Sequence, residues 1–284
     1  MIIFFVSPNT AYQIVTSSYT ATTVIFFLIY TNLYNMDLNV IYNIYINKNN
    51  LKLMKAVILA GGLGKRLRPL TDERPKPMIE VLNVPIIEWQ IKWFKKHLIK
   101  EIVICVGYLK EQIIEYIGSG TKFGVKVGYA VEEEPLGTGG ALKNAESLLG
   151  GVAERGFFMI NGDILTDVHP NKLISDHYAS LALVPLRSPY GVVDLDQNSN
   201  VLGFVEKPQI NDRWINAGIY YFRNDVFDYL PDNGNIEVTA LPSMAKEKKL
   251  KAVKYENSFW RSIDSQKDIE EAAKEIKPIE MIDQ

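Results

Sequence analysis

Residues 54–69 read Met54-Lys55-Ala56-Val57-Ile58-Leu59-Ala60-Gly61-Gly62-Leu63-Gly64-Lys65-Arg66-Leu67-Arg68-Pro69. Lys55 to Ala60 is an apolar run of strand length that breaks abruptly into glycines and cations. Glycines let backbone N–H groups approach a phosphate and the basic side chains neutralise it, so the loop is a phosphate cradle by composition. It is not the dinucleotide fingerprint, because Leu67 stands at the third glycine position and Pro69 forbids an uninterrupted helix. Nor is it a Walker A loop, which needs an earlier glycine at a spacing this chain does not supply. A Gly-rich turn with solvated cations has the same composition. Arg74-Pro75-Lys76-Pro77 follows closely, however, and its prolines predict an extended, presented geometry for Lys76. Two cationic segments after one strand favour binding.

Outward from this loop, apolar runs recur at Glu101 to Gly107, Val125 to Val131 and Phe157 to Ile160, separated by helix-length segments such as Pro85 to His97 and Lys110 to Ile117. This is the βαβ rhythm of a parallel sheet. Further on the runs crowd together, at Leu181 to Pro185, Gly191 to Asp196, Val201 to Lys207 and Ile215 to Phe222, which predicts antiparallel strands joined by turns. A last helix is expected over Gln266 to Ile276, capped by Asp264 or Ser265. Neither a long internal repeat nor a hexapeptide β-helix pattern is present. The expected fold is one α/β domain over residues 54–284, with a mixed, mostly parallel central sheet and no C-terminal β-helix.

The 284-residue chain is 47% hydrophobic and 23% charged, with a formal net charge of -2, which excludes collagen, coiled coil and bulk disorder. The charges are interleaved, so no overall attraction to nucleic acid or to an acidic membrane is built in. The lone Cys105 cannot form an intramolecular disulfide, and a reducing, cytoplasmic setting fits best. Residues 1–53 differ in kind. Their only charged side chains are Asp37, Lys48 and Lys52, and they show no clear helical or alternating period. The run Val24 to Tyr30 is far shorter than the roughly 20 residues of a spanning helix, and the start at Met1-Ile2-Ile3 lacks the basic residues of a signal peptide. Our hypothesis is that residues 1–53 are an upstream extension apart from the fold, with Met54 a plausible start.

The stretch Gly61 to Pro77 resembles the signature of the sugar-1-phosphate nucleotidyltransferases. The resemblance continues, in family order, through Glu132-Glu133-Glu134-Pro135-Leu136-Gly137-Thr138-Gly139-Gly140-Ala141-Leu142, Asn161-Gly162-Asp163, Tyr190-Gly191-Val192-Val193, Phe204-Val205-Glu206-Lys207-Pro208 and Asn216-Ala217-Gly218-Ile219-Tyr220. Within the family it is most similar to enzymes making GDP-mannose or GDP-heptose, with glucose-1-phosphate thymidylyl- and uridylyltransferases close by. The resemblance implies a single Rossmann-like, three-layer, GT-A-like domain. The implied substrates are a nucleoside triphosphate and a sugar 1-phosphate, and the implied cofactor is Mg²⁺. It implies that Arg66 grips the leaving pyrophosphate, that Lys76 contacts the phosphates, and that Gly61, Gly62 and Gly64 donate backbone N–H groups, with Gly137 also on the nucleotide. Asp163, at the carboxyl end of a strand, would hold Mg²⁺; a helix N-cap is its other reading, and Asp167 could also cap. The second metal ligand departs from the family pattern, since Ser262 stands two residues after Trp260 where Asp is usual. Asp264 could take over, the metal could rely on Asp163, phosphate and water, or Asp264 could simply cap the last helix. Lys207 would face the sugar phosphate, Glu206 and Asn216 the sugar hydroxyls, and Gly191 would let the sugar approach the backbone.

Thymidylyl relatives usually carry Gln three residues before the proline equivalent to Pro135. Glu132 stands there in this chain, and an ionised carboxylate accepts only, which suits the N1–H and N2–H₂ donors of guanine. Three consecutive glutamates also suit a solvated turn. His97, His169 and His177 lack metal-ligand spacing and read as helix-surface or turn residues, Cys105 reads as packing, and Trp89 with Trp93 as one helix face on the sheet. Two other classes remain. A glycosyltransferase would share the fold but not need Arg66 and Lys76 for pyrophosphate, and a non-catalytic regulatory subunit is kept open by Ser262. Self-association is also left open.

Overall fold

The computed structural model describes residues 2–7, 10–15, 54–150 and 156–276. The chain divides into two compact units, residues 1–50 and 51–284. In the first, Ile2–Ser7 pairs antiparallel with Thr10–Val15, with Ile2 opposite Val15. No alternation announces these strands, but their Ile, Phe, Val, Tyr and Thr residues favour a pleated backbone. The rest of the segment proposed as an extension lies outside the described residues.

In the second unit seven strands form the central sheet. In chain order they are β1 (Lys55–Ala60), β2 (Glu101–Val106), β3 (Lys126–Val131), β4 (Phe157–Asn161), β5 (Ala179–Arg187), β6 (Gln209–Phe222) and β7 (Leu250–Lys254). Their spatial order is β7-β5-β6-β4-β1-β2-β3. β6 runs against its neighbours β4 and β5, and every other pairing in the sheet is parallel. This is the mixed, mostly parallel sheet expected. The helices are α1 (Ile86–Lys96), α2 (Lys110–Ile117), α3 (Gly137–Asn144), α4 (Ala240–Lys246) and α5 (Gln266–Glu275).

Alternation along β1 sorts the core into layers. Ala56, Ile58 and Ala60 pack with Ile91 and Phe94 of α1 and with Ile113 and Ile117 of α2. Val57 faces the other way, with Ala141 and Leu142 of α3 and Met244 of α4. A third cluster, of Leu67, Ile79, Val81, Leu165, Ile263 and Ala272, lies under α5. Trp93 belongs to the sheet core, as expected. Trp89 packs instead in the α5 cluster, because nearly the whole circumference of α1 is buried and its two tryptophans meet different neighbours. Among the described residues no helix is long and apolar enough to cross a membrane.

Antiparallel pairing appears where the runs crowd, in the ribbon Val192–Leu195 with Val201–Val205. Cys105 is fully buried, and burial pushes its thiol well above the usual range, as packing requires. His97 lies in a turn, as expected, but is half-buried there. It closes α1 with its ring 4.5 Å from that of His169, and burial, then His169 and Lys96, lower its pKa to about 4. The folded state therefore prefers neutral His97, while the unfolded chain protonates near 6.5. Stability from this group is present above pH 6.5 and is lost as the pH falls towards 4. Thermal midpoints at pH 7.5 and 5 should differ more for the wild type than for His97→Gln; equal differences would show that His97 carries none of the acid sensitivity.

Candidate active site

β1 feeds α1 and then β2 on one side, whereas β4, on its other side, leads to the remaining half of the sheet. Loops leaving two such strands diverge, and open α/β sheets place their ligand crevice there. A cavity of about 420 Å³ occupies this point. Gly61, Gly62, Gly64, Arg66, Lys76, Glu132, Gly137 and Asp163 all line it, so the structure brings together every residue assigned to nucleotide and catalysis.

Each wall has a local cause. Gly64, at φ 60°, precedes the 3₁₀ turn Lys65–Leu67, which buries Leu67 and leaves Arg66 exposed. Buried Thr71 donates through Oγ1 to the Gly64 carbonyl at 2.9 Å, and Tyr108 Oη donates to the carbonyls of Thr71 and Asp72. Pro75 is extended, but Lys76 opens a 3₁₀ turn, Lys76–Met78, in place of the extended geometry expected for it. Pro77 fits the second position of that turn, where no N–H is needed, and its buried ring anchors the turn. Asn161-Gly162-Asp163 forms the turn after β4. Gly162 N donates to the Leu59 carbonyl at 2.9 Å, and a β-carbon on Gly162 would lie 2.3 Å from that same oxygen.

Asp163 caps no helix, because the segment after it is the strand Ile164–Thr166, paired antiparallel with Trp260–Ser262. Asp167 accepts from Phe259 N in that pairing and is not a cap either. The pairing continues with Ile263 N donating to the Asp163 carbonyl, which sets Asp264 beside Asp163. Ser265, not Asp264, caps α5: its Oγ accepts from Asp268 N, and the Asp268 carboxylate accepts in return from Asp264 N. Asp264 is thereby free to meet Lys76 and Arg66, although it does not itself line the cavity.

The electrostatic centre is a shared ammonium. Lys76 Nζ lies 2.6 Å from Asp163 Oδ2 and 2.7 Å from Asp264 Oδ1, with the lysine side chain 13% exposed. Arg66 reaches the same Asp264 oxygen at 2.9 Å from a side chain 75% exposed, a pair that water screens. Ser262 donates to the other Asp264 oxygen at 3.0 Å. Burial would raise the Asp264 pKa, but Lys76, Ser262 and Arg66 together outweigh it and hold the carboxyl below its usual range. The role of Ser262 as a donor to Asp264 had no signal in the sequence, where it read only as a missing carboxylate.

Two hard carboxylates converging on one positive centre are the donor set that Mg²⁺ takes, with phosphate and water completing its shell. Among the described residues no group of three or more His, Cys, Asp or Glu side chains is placed to hold a metal, so any further ligands would come from substrate and solvent. The residues present therefore fit the ion.

Glu132 is 7% exposed. It accepts from Leu136 N through Oε2, and Oε1 approaches so near Gly61 that a β-carbon there would sit 2.4 Å away. Burial pushes its carboxyl up, opposed in part by the Leu136 N–H. Only Glu132 of the triplet is buried; Glu133 and Glu134 are exposed. Gly137 opens α3, whose next amides are occupied: Thr138 N donates to Asn235 Oδ1, and Gly139 N and Gly140 N donate to the Gly234 carbonyl.

None of the four sugar-side residues lines this cavity. Glu206 and exposed Lys207 stand beside each other at the foot of the ribbon, Nζ to Oε1 3.4 Å, and Gly191 packs against Phe204 and Glu206. Asn216, on β6, donates to Tyr220 Oη at 2.6 Å and accepts from Gly218 N.

A doubly wound sheet with a glycine- and cation-rich loop beside paired carboxylates at its switch point defines an α/β protein with its ligand crevice at the strand ends. The chain belongs to the nucleotidyl transferase family, whose model matches residues 55–278. A mannose-1-phosphate guanylyltransferase catalytic subunit beta from Dictyostelium discoideum is 36% identical over 226 residues, which are 76% of this chain and 62% of that protein. A D-glycero-alpha-D-manno-heptose 1-phosphate guanylyltransferase from Campylobacter jejuni is 36% identical over 178 residues, 62% of this chain and 78% of the relative. The crystal structure of HddC from Yersinia pseudotuberculosis superposes with a TM-score of 0.62 at 29% identity, over 79% of this chain and all of that one. The chain thus spans less than two thirds of the Dictyostelium protein.

The Leu59 oxygen that Gly162 approaches belongs to a central strand that cannot yield. Gly162→Ala should therefore cost about 1–3 kcal/mol in urea unfolding, the usual range of overpacking substitutions. A loss under about 0.5 kcal/mol would mean that the turn can shift away from β1.

Proposed function

We propose that this chain transfers a nucleotidyl group from a nucleoside triphosphate, GTP in preference, to a sugar 1-phosphate of the mannose or heptose type, releasing pyrophosphate. The observation that carries the reading is the Lys76 ammonium held between Asp163 and Asp264 at the mouth of the glycine-loop cavity. In the reaction a phosphate oxygen of the sugar 1-phosphate bonds to the α-phosphorus, and the bond from that phosphorus to the bridging oxygen of the β-phosphate breaks. Pyrophosphate leaves with the electron pair. Such a transfer depends on positioning and charge neutralisation more than on proton transfer.

The residues divide that work. Amides of Gly61, Gly62 and Gly64 and the exposed Arg66 take the β- and γ-phosphates, which carry the departing charge. Lys76, already fixed by two carboxylates, meets the α-phosphate without reorganising. Asp163 and Asp264 would hold Mg²⁺, which when bound neutralises the phosphate oxygens. Glu206, Lys207, Asn216 and Gly191 would receive the sugar phosphate from the ribbon side of the cavity.

GTP is favoured on one argument. Buried Glu132 offers carboxylate acceptors where guanine would present two adjacent donors. Relatives of similar identity carry guanylyl and uridylyl names alike, so the base preference rests on Glu132. A cytoplasmic setting belongs to the same proposal, supported by the single, buried, unreactive Cys105.

Pyrophosphate release by the full chain with Mg²⁺, from GTP, dTTP, UTP, ATP and CTP paired with mannose, heptose and glucose 1-phosphates, tests the reading. Release should need both substrates and be fastest with GTP. A dTTP or UTP preference would keep the class and remove the guanine argument, and no release by folded protein would favour a regulatory subunit. Lys76→Gln should lower kcat by about 10²–10³-fold, as loss of a preorganised charge-stabilising group does; a smaller fall would take Lys76 out of the chemistry. Glu132→Gln replaces one acceptor by a donor and should shift preference from GTP towards UTP or dTTP by about tenfold or more, read as the ratio of kcat/KM values.

A further inference from the structure

We infer that Gln90 is a positioning residue for Asp163, acting through the turn that carries it. The inference rests on the reading of this cavity as a nucleotidyl-transfer centre. Gln90 lies in the middle of α1 among Ile86, Ile87, Trp89, Ile91, Trp93 and Phe94, all buried, and is itself only 2% exposed. An amide in that setting is out of place unless its polar atoms are bonded. Its Nε2 donates to the Asn161 carbonyl at 2.8 Å and to the Ile164 carbonyl at 2.9 Å.

These carbonyls are the two that bracket Gly162-Asp163. One planar NH₂ therefore spans the turn and fixes the separation of its ends. Two carbonyl acceptors also settle which end of the amide faces the turn, since Oε1 there would repel both. Oε1 points away and has no partner among the described residues, and neither has Asn161 Oδ1 in the same turn. A methionine would fill the space with no unpaired oxygen. What the amide adds is the pair of donors.

The turn is also tied by Gly162 N to the Leu59 carbonyl, by the Asp163 carbonyl to Ile263 N, by the pairing of Ile164 with Ser262 and by the Lys76–Asp163 ion pair. These bind it to β1, to the strand Trp260–Ser262 and to Lys76, while Gln90 braces both of its ends from α1. Without that brace the ends of the turn are free to part and the Asp163 side chain to shift. Asp163 then drifts from Lys76, and the loss falls on the chemical step and on the metal rather than on nucleotide binding, which the 61–66 loop and Glu132 supply.

Gln90→Met and Gln90→Glu in the full chain test this. Three quantities are measured: the thermal midpoint, kcat and KM for the triphosphate, and Mn²⁺ binding followed by the electron paramagnetic resonance of the free ion with an unreactive triphosphate analogue present. Folded Gln90→Met should keep KM within about twofold, lose at least about tenfold in kcat, and bind Mn²⁺ at least about threefold more weakly. Gln90→Glu should show the same loss at high pH and recover in part as the pH falls, because the protonated carboxyl donates to one carbonyl again. Wild-type kcat and Mn²⁺ affinity in folded Gln90→Met would overturn the inference. Should that variant not fold, the Glu variant decides: recovery on acidification supports the inference, and its absence overturns it. A wild type that releases no pyrophosphate would remove the functional reading, while the Mn²⁺ measurement would still report whether Gln90 holds Asp163.

Discussion

The Lys76 ammonium shared by Asp163 and Asp264 is the point on which the rest of the architecture converges. Each partner comes from a different part of the chain: Lys76 from the loops after β1, Asp163 from the turn after β4, and Asp264 from the bend before α5. A half-buried cation between two carboxylates is worth little as a source of stability, because desolvation cancels much of the attraction. Its value is geometric. Removing the lysine would leave like charges facing each other, so the three side chains constrain one another to a single arrangement.

That arrangement depends on close backbone approach at two glycines. Gly61 admits the Glu132 carboxylate, and Gly162 lets the Asp163 turn lie directly on β1. Both contacts are made to β1 or the loop it feeds, and β1 is bonded on both edges to parallel neighbours. The floor of the cavity is therefore among the most firmly bonded parts of the fold, while Arg66 on its lining is exposed. A firmly bonded floor suits a reaction whose demand is alignment of phosphates.

Much of this was legible in the sequence because glycine and proline punctuate it. β1, α1 and α2 emerge from periodicity with boundaries accurate to a residue or so, and β4 from an apolar run ended by Asn-Gly-Asp. What periodicity missed has physical causes. α3 contains Gly137, Gly139 and Gly140, poor helix formers by propensity, and stands because their small size lets it pack on the Pro231–Asn235 loop. β6 extends back to Gln209, with Ile210 and Gln209 paired to Leu186 and Arg187 of β5 and residues 211–213 skipped at a register shift, an irregularity that no alternating pattern announces. Asp264 stands out by its distance along the chain from Trp260, but its freedom to pair with Lys76 depends on Ser265 taking the cap, and a contest between adjacent capping residues is not written in their spacing. Gln90 left a trace, a lone amide in an apolar helix face, which acquires meaning only once the turn opposite it is known.

The separations along the chain carry one more implication. Lys76 is 87 residues from Asp163 and 188 from Asp264. The last strand of the central sheet ends at Lys254, ten residues before Asp264, so a chain emerging during synthesis can complete its sheet while its charge cluster is still missing one carboxylate. The charge cluster is therefore among the last parts of the described architecture to be supplied along the chain, after every strand of the sheet beneath it.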